Sequence, residues 1–167
     1  MSQENVEVIR SLTERINAGD EEGVLELIHP DLELFPPEDE PEAKEVYRGR
    51  EGYREYSSYW TDTFDQWHTE VEEYIDRREY VVVVGRTYAR GRASGARVEG
   101  SATWVWRVRD RMGIECREYR TKEEALEAAG LRSRTRLLRV FSRLASGHRR
   151  TAPRKTPRSK QRGTGLG

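Results

Sequence analysis

One cysteine in 167 residues is too few for an intrachain disulfide or a cysteine metal cluster. Cys116 reads instead as a small apolar filler in a strand. Histidine is nearly as scarce, and none of the three lies in a His-x-His or His-Glu-x-x-His spacing, so no metal site is expected. There is no G-x-G-x-x-G, no Walker-type run and no G-x-S-x-G. Dinucleotide cofactors, nucleotide phosphates and a serine nucleophile are therefore not implied, and no cofactor is expected. No run of about 18 apolar residues is present to span a bilayer. The opening MSQENVEVIR lacks the basic start and apolar centre of a signal peptide, which points to a soluble, cytoplasmic protein.

One further absence is local. Residues 131–167 contain no Asp or Glu but hold 12 of the 30 Lys and Arg, leaving residues 1–130 with 18 basic against 30 acidic side chains. The neutral total thus hides a body of formal charge −12 and a tail of +12. A body of this length suits one domain with a real core.

Within the body, Val8, Leu12 and Ile16 recur at helical spacing with Ile9 beside them. The stretch NAGDEEGVLELIHPD (17–31) then ends one helix at Gly19 and starts another at Asp20, whose carboxylate suits an N-cap. Val24, Leu27 and Ile28 form the expected buried face of that second helix. Pro30 disfavours helix at His29, and Leu32 and Leu34 alternate with Asp31 and Glu33 as in a half-buried strand. His29 reads as a helix-end residue. Residues 36–48 carry three prolines and many carboxylates and read as a loop. Tyr53, Tyr56, Trp60 and Phe64 then fall on one side of a helix from about Glu51 to Phe64.

From Trp67 the period changes to two, predicting antiparallel strands at 67–76, 79–90, 97–109 and 113–120 joined by hairpin-length turns. The run Tyr80–Val84 is apolar on both faces, which predicts helices on one side of the sheet and a partner subunit on the other. A short capped helix follows from Thr121 to Gly130. Helices first and strands afterwards is an α+β order.

This order, with NAGDEEGVLELIHPDLELFPP (17–37), YRGREGYREY (47–56), VEEYIDRREYVVVVGR (71–86), VWRVRDRMGIECREYR (105–120) and EEALEAAGL (123–131), resembles the SnoaL-like polyketide cyclases of the nuclear transport factor 2-like superfamily. The likeness covers about residues 3–131. It implies a cone-shaped, cystatin-like α+β fold, with N-terminal helices packed on a curved antiparallel sheet. It also implies a homodimer formed through the sheet and a small apolar molecule held inside. Family members include isomerases, cyclases and hydrolases that need no metal, alongside noncatalytic ligand-binding or dimerisation modules. Chemistry in such a pocket needs a carboxylate, histidine or tyrosine whose pKa the apolar surroundings displace.

The catalytic candidates are His68 and Glu118, and the ligand-binding candidates are Tyr53, Trp60, Arg86, Trp104, Trp106 and Tyr119. Trp104, Trp106 and Val108 share a strand face opposite Thr103, Val105 and Arg107, so the tryptophans either line a cavity or fill the core. Many relatives carry histidine where Trp104 stands, and that departure removes a titratable group. His68 either points inward as an acid or base or sits on the surface beside Glu70. Arg86 and Glu118 are expected to meet across the sheet, as a ligand-holding pair or an ordinary cross-strand ion pair. Tyr119 is a hydrogen-bond donor or a core residue, while Tyr53 and Trp60 form an aromatic wall or ordinary helix packing.

The predicted domain covers residues 1–130. Residues 131–145 read as a basic amphipathic helix and 146–167 as disorder. This tail suits contact with nucleic acid, with an anionic membrane or with the acidic body, or else has no bearing on the pocket.

Overall fold

The computed structural model describes residues 2–38, 40 and 43–130. The helix expected at 131–145 and the disorder expected at 146–167 lie outside these residues.

Helix α1 (Ser2–Ala18) buries Val8, Ile9 and Leu12, the stripe its spacing dictates. It stops at Gly19, whose φ of 68° suits a residue without Cβ, and the N–H of Asp20 closes onto Arg15 O at 2.9 Å. Asp20 then caps α2 (Glu21–Leu27) by accepting from Gly23 N at 3.0 Å. Val24 and Leu25 are buried, but Ile28 does not join them on the helix. It is already extended and opens strand β1 (Ile28–Phe35), because Pro30 excludes helix just before it. His29 therefore sits in β1, accepting from Asp31 N at 3.0 Å.

Strand β2 (Tyr47–Arg48) leads into α3 (Gly49–Thr63), where Gly52 is obligatory: a Cβ there would lie 2.8 Å from the Tyr47 backbone. Phe64 ends that helix by starting β3 (Phe64–Arg77). Strands β4 (Tyr80–Gly91), β5 (Arg97–Arg109) and β6 (Met112–Tyr119) follow as hairpins. A final helix, α4 (122–130), is capped by Thr121, whose hydroxyl accepts from Glu124 N at 3.2 Å.

The six strands form one curved, unclosed sheet in the order β2-β1-β6-β5-β4-β3. It is mixed rather than wholly antiparallel, because β1 runs parallel to β6. Every intervening element lies between these two strands in sequence, which is the long crossover that a parallel pair requires. Register shifts interrupt β3 twice and the β5–β6 pair once, and such bulges bend a sheet.

The main core packs α1, α2 and α3 on one face against Val81, Val83, Trp106, Val108 and Cys116. The opposite face holds a smaller cluster of Tyr80, Val82 and Val105, closed by Ala125 and Ala129 of α4. The expectation of a partner subunit over this apolar run is thus corrected in part, since the chain's own α4 covers it. Among the described residues no helix is long and apolar enough to cross a membrane.

Candidate active site

Straight helices cannot follow a bent sheet along its whole length, and a cavity of about 120 Å³ remains between them. A dry apolar cavity of about 150 Å³ accepts benzene, so the space is on the scale of one ring. Helix α1 contributes Leu12, Thr13 and Ile16, and α3 contributes Tyr53, Tyr56, Ser57 and Trp60. The sheet supplies Trp67 and Thr69 from β3, Val83 and Thr87 from β4, Trp104 and Trp106 from β5, and Cys116 and Glu118 from β6. The aromatic wall is continuous: Trp60 lies 6.3 Å from Tyr56 and 6.1 Å from Trp67 between ring centroids.

The α1–α2 turn is tied to this wall by Asn17. Its Nδ2 donates to Thr69 O at 2.8 Å and its Oδ1 accepts from Thr69 N at 2.9 Å, so one side chain substitutes for a neighbouring strand. A second, more polar hollow of about 370 Å³ lies beside this turn, with Asn17, Asp20, Asp65 and Arg92 in its walls. The two hollows share Ile16, Tyr53, Ser57 and Trp67.

Among the described residues, Glu118 is the one charged side chain lining the inner cavity. It lies opposite Trp104 in the β5–β6 register, and Trp104 Nε1 donates to its Oε2 at 3.1 Å. Burial pushes its pKa up to about 7, the Trp104 hydrogen bond offsets part of that rise, and the charge of Glu40 adds to it. Glu40 itself accepts from the Tyr59 hydroxyl at 2.9 Å.

The other titratable groups in the wall stay protonated at neutral pH. Tyr53 is raised to about 12, first by burial and then by Glu21, against a hydrogen bond with Ser57. Tyr56 is raised by burial and next by Glu118, and burial likewise pushes the Cys116 thiol up. The cavity therefore offers phenol O–H donors and one carboxyl that exchanges its proton near neutral pH. Among the described residues no group of three His, Cys, Asp or Glu side chains is arranged to hold a metal ion.

Of the residues singled out in the sequence, Tyr53, Trp60, Trp104, Trp106 and Glu118 meet around this cavity. His68, Arg86 and Tyr119 do not, because strand alternation turns them to the other face. His68 is 53% exposed, stacked on Tyr88 at 5.1 Å and 3.7 Å from Glu70. Arg86 pairs with Glu99 at 2.7 Å and Glu72 at 3.3 Å, and β5 separates its strand from that of Glu118. The expected Arg86–Glu118 contact is corrected accordingly. Tyr119 packs with the small cluster beneath α4. Sequence reasoning missed Trp67, Thr69 and Asn17. Trp67 and Thr69 alternate with His68, which was the available signal; nothing in the sequence marks Asn17.

With this geometry in place, the relatives fit the fold. The SnoaL-like domain model matches residues 9–113, and the chain belongs to that family. No curated protein matches the chain. Solved structures share the fold at low identity. TerC, co-crystallised with polyporic acid, is 21% identical with a TM-score of 0.65, covering 76% of this chain and 98% of its own. A nuclear transport factor 2-like protein of unknown function from Burkholderia pseudomallei is 17% identical with a TM-score of 0.65, covering 74% of this chain and 95% of its own. A SnoaL-like polyketide cyclase, so named provisionally, from Jannaschia is 19% identical with a TM-score of 0.62, covering 77% and 92%.

Proposed function

We propose that the domain binds a small, largely apolar molecule of about one ring in the tryptophan-lined cavity and exchanges a proton with it through Glu118. The reaction class is isomerisation or cyclisation. The carrying observation is a carboxyl held among aromatic side chains, with its pKa near 7 and an indole N–H as its hydrogen-bond donor. Such a group is half protonated at neutral pH, so it takes a proton from carbon and returns it elsewhere on the same molecule. The Tyr53 and Tyr56 hydroxyls remain neutral donors toward an oxygen that gains charge. TerC was crystallised with polyporic acid, and the proposal extends that use of the fold to this chain.

Titrating the protein with toluene while following tryptophan fluorescence tests the binding step, because all four tryptophans, Trp60, Trp67, Trp104 and Trp106, line the wall. Wild-type protein is expected to saturate. Ser57→Phe, which places a ring where the two hollows meet, is expected to abolish saturation while circular dichroism stays unchanged. Equal saturation by both proteins would overturn the reading.

The proposal includes a homodimer through the sheet face beyond α4. The likeness to SnoaL-like proteins, which implies pairing through the sheet, is what supports it. Sedimentation at rising concentration is expected to show the dimer, and a monomer throughout would overturn it.

A further inference from the structure

The charge inside the cavity is of one sign. Glu118 is its ionisable acid, and no Lys, Arg or His lines it among the described residues. The nearest cation along β6, Arg117, is directed elsewhere, lying 3.3 Å over the Phe35 ring and 3.0 Å from Glu115. Glu40, fixed by Tyr59, adds a second negative charge near the Glu118 end. The remaining wall presents the faces and edges of Tyr56, Trp60, Trp67, Trp104 and Trp106. Aromatic faces attract cations, and a buried anion is costly until a cation joins it.

Resting on the cavity reading above, we infer that the ligand carries a basic nitrogen: the site takes a protonated amine on a ring-sized apolar body, with the ammonium against Glu118 and the body among the tryptophans. An anionic ligand would face Glu118 and Glu40 with no cation among the described wall residues to receive it.

Three probes of similar shape separate the possibilities: benzylamine, toluene and benzoate. Calorimetry in two buffers of different ionisation enthalpy reads the protons exchanged on binding. Glu118 is half protonated near pH 7, so benzylammonium is expected to release about half a proton there, benzoate to take up protons and toluene to exchange none. The groups facing Glu118 that enter this balance are Glu40 from the loop before β2, Tyr56 from α3, Cys116 on its own strand and the Trp104 N–H from β5. The two phenol and thiol groups stay protonated in this range, leaving Glu118 as the source of the proton. Benzylamine affinity is expected to fall about tenfold or more from pH 8 to pH 5, while toluene affinity stays level. Glu118→Gln is expected to lose both the proton release and the preference for benzylamine. Should that variant not fold, the three-probe comparison on the wild-type protein decides alone. Toluene binding with no preference for benzylamine, or with benzoate bound more tightly, would overturn the amine inference and leave the cavity reading standing. Failure of all three probes would remove both.

Discussion

Glu115 and Glu118 stand three residues apart on β6, and the pleat sends them to opposite faces of one sheet. Glu115 is 8% exposed and sits between two guanidinium groups, Arg117 at 3.0 Å and Arg107 at 3.7 Å. Glu118 faces the cavity, where Trp104 donates its N–H and no cation approaches among the described residues. The residue type and the strand are the same. The neighbours make one an ion-pair partner and leave the other a carboxyl with a raised pKa, the group proposed to exchange a proton.

Removing the packing behind the inner face should cost most. Trp106 is buried between the cavity and Gly113, and Trp106→Ala is expected to destabilise by about 3–5 kcal/mol in urea unfolding. A loss below about 1 kcal/mol would mean that the site collapses around the missing ring.

Exchanging each glutamate for glutamine tests the contrast directly, because the two signs should differ. Glu115→Gln leaves Arg107 and Arg117 without their anion and is expected to cost about 2 kcal/mol. For Glu118 the folded-state pKa of about 7 lies above its ordinary 4.5. Below 4.5 both folded and unfolded chains hold the proton and nothing is lost. As pH rises from 4.5 to 7 the unfolded chain gives up its proton first, so stability falls through that window and levels off above it. The loss is at most on the order of 3 kcal/mol, and Glu118→Gln, which cannot ionise, should recover it at pH 8 but gain little at pH 4. Unfolding midpoints of both variants at the two pH values check the pair.

A smaller effect is expected where the inner core is tightest. A Cβ at Gly113 would lie 2.8 Å from Trp106 Cζ3, so Gly113→Ala should cost about 1–3 kcal/mol by forcing the ring aside. In the double variant with Trp106→Phe the penalty should shrink, which a double-mutant cycle measures. The outer face should respond least. Arg86 pairs with Glu72 and Glu99 with all three side chains exposed, so water and salt screen the attraction. Arg86→Ala should leave the unfolding midpoint unchanged within error.

Element order was legible in the sequence because each element carries a strong local signal: the Val8–Leu12–Ile16 stripe, Gly19 followed by Asp20, the aromatic spacing from Tyr53, and the change to period two after Trp67. The parallel β1–β6 pairing carries no such signal, since it joins residues some eighty apart and depends on how the whole chain closes. Within the site, the aromatic wall from Tyr53, Trp60, Trp104 and Trp106 was visible as two periodicities meeting. Which alternate residues of β3 and β4 faced inward was not, because Trp67 and His68, or Gly85 and Arg86, differ by a single step of the pleat. Bulges in β3 shift that phase further. The contrast between Glu115 and Glu118 was hidden for the same reason, as it exists only once the faces are assigned.

An NMR titration of the Glu118 side-chain carboxyl carbon in the ligand-free protein bears most directly on the proton-exchanging role. A midpoint of about 7 is expected, from burial among aromatic side chains with one indole donor. A midpoint near the ordinary 4.5 would place the carboxyl in water and contradict that role.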